Sequence, residues 1–187
     1  RWAFERCIAD LESGAQAFAF ASGLAAIATV LETLDSGAHV IAGDDLYGGT
    51  YRLLEGVRRR TAGLAATFVD LANAETLAAA VRPDTRMLLV ETPTNPLLKL
   101  ADLEALAAFC RRHELISVVD NTFATPWIQR PLELGFDIVL HSTTKYINGH
   151  SDVIGGVAVV SGEARNAALR ERLAFLQNAV GAISGPF

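Results

Sequence analysis

The sequence predicts an α/β fold: a mostly parallel sheet of about seven strands between helix layers. Three observations carry that prediction. Short apolar runs alternate with amphipathic stretches from end to end, the pattern of a sheet wound with helices on both sides. The runs Met87–Val90 and Ile116–Val119 are nearly continuous in apolar residues, as strands covered on both faces are. The chemically loaded residues fall just after candidate strands, where open α/β sheets place their ligands.

In chain order, the first helix is expected over Trp2–Leu11 and the first strand over Ala17–Ala21. Ser22-Gly23 then opens a helix over Gly23–Leu34, with serine as a ready N-cap. A strand at His39–Ala42, a helix at Thr50–Arg60 and a strand at Ala66–Asp70 follow. Next come a helix at Ala74–Val81 and a strand at Met87–Glu91. Leu103, Leu106, Ala107 and Cys110 share one face of a helix over Leu103–Glu114, with Glu104 and Arg111 on another. Strands over Ser117–Asp120, Asp137–His141 and Val153–Val160, and a helix over Arg165–Val180, complete the pattern. No internal repeat, linker or low-complexity tract interrupts it.

With 187 residues, 51% of them hydrophobic, the chain is large enough for one good core. A net charge of −5 argues against a nucleic-acid partner, which requires a basic face. Arg58-Arg59-Arg60, the one basic cluster, reads as a helix end. No apolar run nears the ~18 residues of a membrane span. Cys7 and Cys110 have no metal or redox spacing and read as reduced packing residues, which points to a cytoplasmic protein.

Lys145 is one of two lysines among 16 basic residues, in Ile138-Val-Leu-His-Ser-Thr-Thr-Lys-Tyr-Ile-Asn-Gly-His150. A surface lysine after a strand is the plain reading. Placed at the carboxyl edge of a sheet beside Ser142 and Thr144, its amine is also suited to covalent chemistry while the hydroxyls hold a phosphate. Ser22-Gly23 is an ordinary cap or an anion site at a helix start. Asp120 ends its strand as a turn cap, or as a carboxylate awaiting a protonated heterocycle, Mg²⁺ or an arginine. Tyr47, beside Gly48 and Gly49, packs in the core or stacks on a planar ligand. Asn95, between Pro93 and Pro96, forms a turn or aims its amide at a ligand.

These parts have one coherent joint use. A helix start and two hydroxyls hold a phosphate, Tyr47 stacks, Asp120 faces a ring nitrogen and Lys145 forms an imine, which together describe a pyridoxal 5'-phosphate site. A nucleotide-binding module built on the Ser22-Gly23 helix start is the rival class, but the full glycine fingerprint is missing. A catalytically incompetent fragment is a third.

The stretches Phe20-Ala-Ser-Gly-Leu-Ala-Ala26, Asp44-Asp-Leu-Tyr-Gly-Gly-Thr50, Glu91-Thr-Pro-Thr-Asn-Pro96, Val118-Val-Asp-Asn-Thr-Phe123 and Ser142-Thr-Thr-Lys-Tyr-Ile-Asn-Gly-His-Ser-Asp152 resemble the pyridoxal-phosphate enzymes of cysteine and methionine metabolism. The resemblance implies the large domain of an aspartate aminotransferase-like, PLP-dependent transferase fold. By it, Lys145 carries the internal aldimine, Asp120 pairs with the pyridinium nitrogen and Tyr47 stacks on the ring and assists as acid or base. Gly23 and Leu24 give amides to the phosphate, with the Ser142 and Thr144 hydroxyls beside them. Asn95 addresses the phenolic oxygen, and Arg52 and Tyr47 stand at the substrate side. The resemblance also implies a homotetramer, as a dimer of dimers, acting on a small sulfur amino acid. Full-length members carry an N-terminal arm and a C-terminal small domain that 1–187 is not expected to contain, so the fragment is expected to be truncated at both ends. The wording of Phe20-Ala-Ser-Gly-Leu24 and Phe175-Leu-Gln-Asn178 is nearer to cystathionine γ-lyases than to β-lyases, with γ-synthase and methionine γ-lyase as alternatives.

Overall fold

The computed structural model describes residues 1–185. Its single sheet has seven strands in the order β1-β7-β6-β5-β4-β2-β3: β1 Gln16–Phe20, β2 His39–Gly43, β3 Ala65–Val69, β4 Thr85–Glu91, β5 Ile116–Asp120, β6 Ile138–Ser142 and β7 Gly156–Val160. Strands β3, β2, β4, β5 and β6 pair in parallel, while β7 pairs antiparallel with both β6 and β1. Every strand except β7 therefore ends at the same edge of the sheet.

Alternation along the strands divides the core in two. Ile41, Leu88, Val90, Val119 and Val139 pack to one side, with Ile8 of α1 (Trp2–Leu11) and Leu103, Leu106 and Cys110 of α6 (Leu103–Arg112). Val40, Met87, Leu89, Val118, Ile138 and Leu140 pack to the other, with Ala26, Ile27 and Val30 of α2 (Gly23–Leu31) and Leu173 of α8 (Ala167–Val180). These are the two helix layers that the alternating sequence predicts. α6 shows why: Asp102 caps it through Ala105 N–H, and its buried residues recur at helical spacing.

Four expectations are corrected. Helix Thr50–Arg60 is a composite of α3 (Gly48–Tyr51), a π-helical stretch (Arg52–Arg58) and α4 (Arg59–Thr61). The last strand starts at Gly156, because Val153 and Ile154 are exposed in the preceding loop. Cys7 is exposed, since α1 turns Glu5, Ile8 and Ala9 inward instead; Cys110 is buried, and burial pushes its thiol up to about 12. Two short helices complete the chain, α5 (Ala74–Ala79) and α7 (Thr125–Ile128), the latter unanticipated. Arg59 and Arg60 do close a helix, and Arg58 pairs with Glu32.

Candidate active site

Residues that follow β1, β2, β4, β5 and β6 meet in one cavity of about 270 Å³ at the carboxyl edge, on the α2 side of the sheet. Gly23, Leu24, Tyr47, Asn95, Asp120, Ser142, Thr144 and Lys145 all line it, joined by Glu91, Thr122 and Phe123. Of the residues singled out from sequence, Arg52 alone stands outside. It is exposed in the first turn of the π-helical stretch, and its Nη1 lies 3.4 Å from where a Cβ on Gly48 would be.

The end of the cavity at the start of α2 is set by close backbone packing. Ser22 caps α2 by accepting from Ala25 N–H at 3.0 Å, which leaves the Gly23 and Leu24 amides as free donors of the first turn. A Cβ on Gly23 would come within 2.9 Å of the Ser142 Cβ, so only glycine lets the helix start close on the end of β6. Likewise a Cβ on Gly156 would strike the Ser22 carbonyl oxygen at 2.1 Å. The Thr144 hydroxyl is already committed to the backbone of Gly155, donating at 3.3 Å to its carbonyl and accepting at 3.1 Å from its N–H.

Asp120 ends β5 facing the cavity. Its Oδ1 accepts the N–H of Thr122 at 3.0 Å and the Thr122 hydroxyl. Burial pushes its carboxyl above the usual range, against those two hydrogen bonds and the nearby His141 charge. No lysine or arginine pairs with it among the described residues. Glu91 is its direct neighbour across the β4–β5 ladder. Burial first, and the Asp120 charge second, push the Glu91 carboxyl up to about 7, although it accepts the backbone N–H groups of Tyr47 (2.8 Å) and Asn95. Glu91 has no role assigned from sequence, and its place at the end of β4 is the signal that marks it.

Tyr47 is 45% exposed, with its ring lying over Gly49: a Cβ there would sit 2.3 Å from the ring's Cε1. The two lysines are in opposite situations. Lys99 Nζ is held by Asp44 at 3.0 Å. Lys145 is exposed on the cavity wall and enters no ion pair among the described residues.

Comparison with known proteins identifies the family. The family model for Cys/Met metabolism PLP-dependent enzymes matches residues 1–187. A protein of Coxiella burnetii named cystathionine beta-lyase is 59% identical over 187 residues, covering 100% of this chain and 48% of its own length. One of Herpetosiphon aurantiacus, named probable cystathionine gamma-synthase, is 53% identical over 187 residues, covering 100% of this chain and 57% of its own length. The crystal structure of cystathionine gamma-lyase from Lactobacillus plantarum complexed with L-serine superposes with a TM-score of 0.94 at 48% identity, over 98% of this chain and 47% of that one. The chain thus spans about half the length of the relatives it matches. It belongs to the family of Cys/Met metabolism PLP-dependent enzymes.

Proposed function

We propose that the protein containing this chain is a carbon–sulfur lyase of trans-sulfuration that cleaves cystathionine at the γ-carbon, giving cysteine, 2-oxobutanoate and ammonia. The observation that carries the reading is one cavity that holds a lysine amine and a desolvated carboxyl, neither in a Lys or Arg ion pair among the described residues. Pyridoxal phosphate fits this donor set: the Gly23 and Leu24 amides with the Ser142 hydroxyl suit its phosphate, and Asp120 suits its protonated ring nitrogen. Tyr47 would cover one face of the ring, and Asn95 would address the phenolic oxygen.

Bound there, the cofactor supplies an aldehyde for amine capture and an electron sink for the carbanion formed at the α-carbon. The chain's residues do the rest. Lys145 would hold the cofactor through its amine and, when that amine is free, would take the α-proton and then a β-proton, whose loss lets sulfur leave the γ-carbon. Asp120 would keep the ring nitrogen protonated, and Tyr47 would deliver a proton to the departing sulfur. Arg52, outside the cavity wall, would reach only the distal end of an extended substrate.

The γ-position rests on the wording of Phe20–Leu24 and Phe175–Asn178. A second reading, cleavage at the β-carbon, is favoured by the 59% identical relative's name. Cystathionine given to the full-length protein separates them: cysteine with 2-oxobutanoate supports γ-cleavage, and homocysteine with pyruvate replaces it with β-cleavage. Turnover only with an O-acyl-homoserine and cysteine would make it a synthase. A homo-oligomer, a tetramer by family resemblance, belongs to the same reading and is supported by exposed Trp127, Ile128, Leu97 and Leu100. A full-length protein that sediments as a fully active monomer would remove that part.

A further inference from the structure

Directly behind the cavity, on the α1 side of the sheet, lies a fully buried acid–imidazole pair that the reaction does not use. Glu12, just after α1, is 0% exposed, and His141 of β6 is 1% exposed. His141 Nε2 meets Glu12 Oε1, and the same oxygen accepts Asn121 Nδ2 at 2.9 Å. Asn121 Oδ1 in turn accepts Gln129 Nε2 at 2.9 Å, and Gln129 also donates to the Thr92 carbonyl at 3.1 Å. One network therefore ties the ends of α1, β4, β5 and β6 together.

Stability gives no reason for such a pair. Withdrawing two ionisable groups from water costs several kcal/mol, and well-packed apolar residues usually serve as well or better. Here the cost is aggravated, since Glu12 Oε2 and His141 Nδ1 are both buried with no hydrogen-bond partner among the described residues. Position does give a reason. His141 immediately precedes Ser142, and Asn121 immediately follows Asp120. Strand alternation sends His141 behind the sheet and Ser142 into the cavity. The Asn121 N–H is pinned to the Leu140 carbonyl at 2.9 Å, and Thr122, next along, bridges Asp120 to the Ser142 N–H at 2.8 Å. A shift of Asn121 would move both cavity-facing groups together.

We propose that Glu12 and His141 are positioning residues: with Asn121 they form a buried brace that fixes Asp120 and Ser142 in register for the cofactor's two charged ends. The inference rests on Asp120 being the partner of the ring nitrogen, as proposed above.

The test uses the full-length protein, stripped of cofactor and titrated with pyridoxal phosphate, reading the dissociation constant, the absorption maximum of the bound cofactor and the melting temperature of the cofactor-free form. Glu12→Gln should weaken cofactor binding about tenfold, the scale of one charge-assisted hydrogen bond, and move the absorption maximum. Should Glu12→Gln not fold, His141→Gln keeps a donor toward Glu12 while removing the imidazole; it should fold and show the same two changes. Parent affinity and an unmoved maximum in a folded variant, whatever its melting temperature, would overturn the proposal and leave the pair a packing feature. Asp120→Ala is the separate control: if it binds cofactor like the parent, the ring-nitrogen reading falls first, whereas loss there with no effect at Glu12 and His141 sinks the brace alone.

Discussion

The two edges of the sheet treat buried polar groups in opposite ways. At the amino edge Asp137 is 1% exposed and fully engaged: Oδ2 accepts the Ser117 N–H (2.9 Å) and hydroxyl (2.8 Å), and Oδ1 accepts Asn166 Nδ2 (2.7 Å) and pairs with Arg165 (2.7 Å). His39, buried at the start of β2, has Thr85 on one ring nitrogen and Thr67 on the other. At the carboxyl edge Asp120 and Glu91 are desolvated side by side, and Lys145 enters no ion pair among the described residues. One edge spends its polar groups on holding the fold. The other, on its cavity side, brings two desolvated carboxyls and a lysine amine to one cavity, and such charge is what a charged ligand can use.

The contrast breaks most visibly at the lysines. In the full-length protein, Lys145→Ala should lower cystathionine turnover roughly a thousandfold or more, the scale seen when a covalent residue is removed. The visible absorption of lysine-bound cofactor should vanish with it. Lys99→Ala, which frees only an exposed pair with Asp44, should retain both. Equal behaviour of the two variants would put the reactive amine elsewhere.

Asp137→Ala tests the other edge. It removes a buried, paired carboxylate and strands Ser117 and Asn166, so urea unfolding should report about 3–5 kcal/mol of lost stability. Cofactor affinity of the folded fraction should stay at the parent value. A loss of affinity with little loss of stability would erase the division between the edges.

Glu91→Gln should do the reverse in the cofactor-free protein. Because the folded-state carboxyl is raised from near 4.5 to about 7, the native state holds a proton that the unfolded chain releases, and that contribution is lost as pH rises through this window. Below it the parent and variant should be about equally stable, since glutamine mimics the protonated acid and can still accept the Tyr47 N–H. Above it the variant should be the more stable by up to about 3 kcal/mol. Chemical unfolding of both proteins at several pH values measures this; a difference that stays flat with pH would mean that Glu91 is not desolvated.

How far the sequence carried this picture also depends on the edge and the range of the contact. The cavity residues were legible because each follows an apolar run, and a parallel sheet delivers all such positions to one edge: Gly23, Asp120 and Lys145 needed no tertiary information beyond that rule. Glu12 and His141 are 129 residues apart, and neither carries a local pattern that announces the other. Arg52 stood at the substrate side only by family resemblance, but a π-helical stretch begins at that residue, and seven residues are too few for hydrophobic spacing to reveal a widened helix. Val153 and Ile154 read as strand because apolar β-branched pairs favour one, yet the loop at Gly155 must bend to meet Thr144.

The smallest expected effect is at Gly49, and it separates a ligand site from its scaffold most cleanly. Alanine there places a Cβ 2.3 Å from Cε1 of the Tyr47 ring, with Cδ1 and Cζ at 2.9 and 3.0 Å. Those atoms are the far end of a side chain that is 45% exposed, so the ring can swing aside without disturbing the core. Gly49 lies in α3, where alanine is favoured over glycine by up to about 1 kcal/mol. The cofactor-free protein should therefore be as stable as the parent or slightly more so. Cofactor affinity should nevertheless fall a few-fold, because a stacked aromatic contact is worth about 0.5–1.5 kcal/mol and the ring no longer lies where it can stack. Paired thermal melts and pyridoxal-phosphate titrations read the two quantities independently. Unchanged affinity with the ring displaced would remove Tyr47 stacking from the site while leaving Lys145 and Asp120 in place.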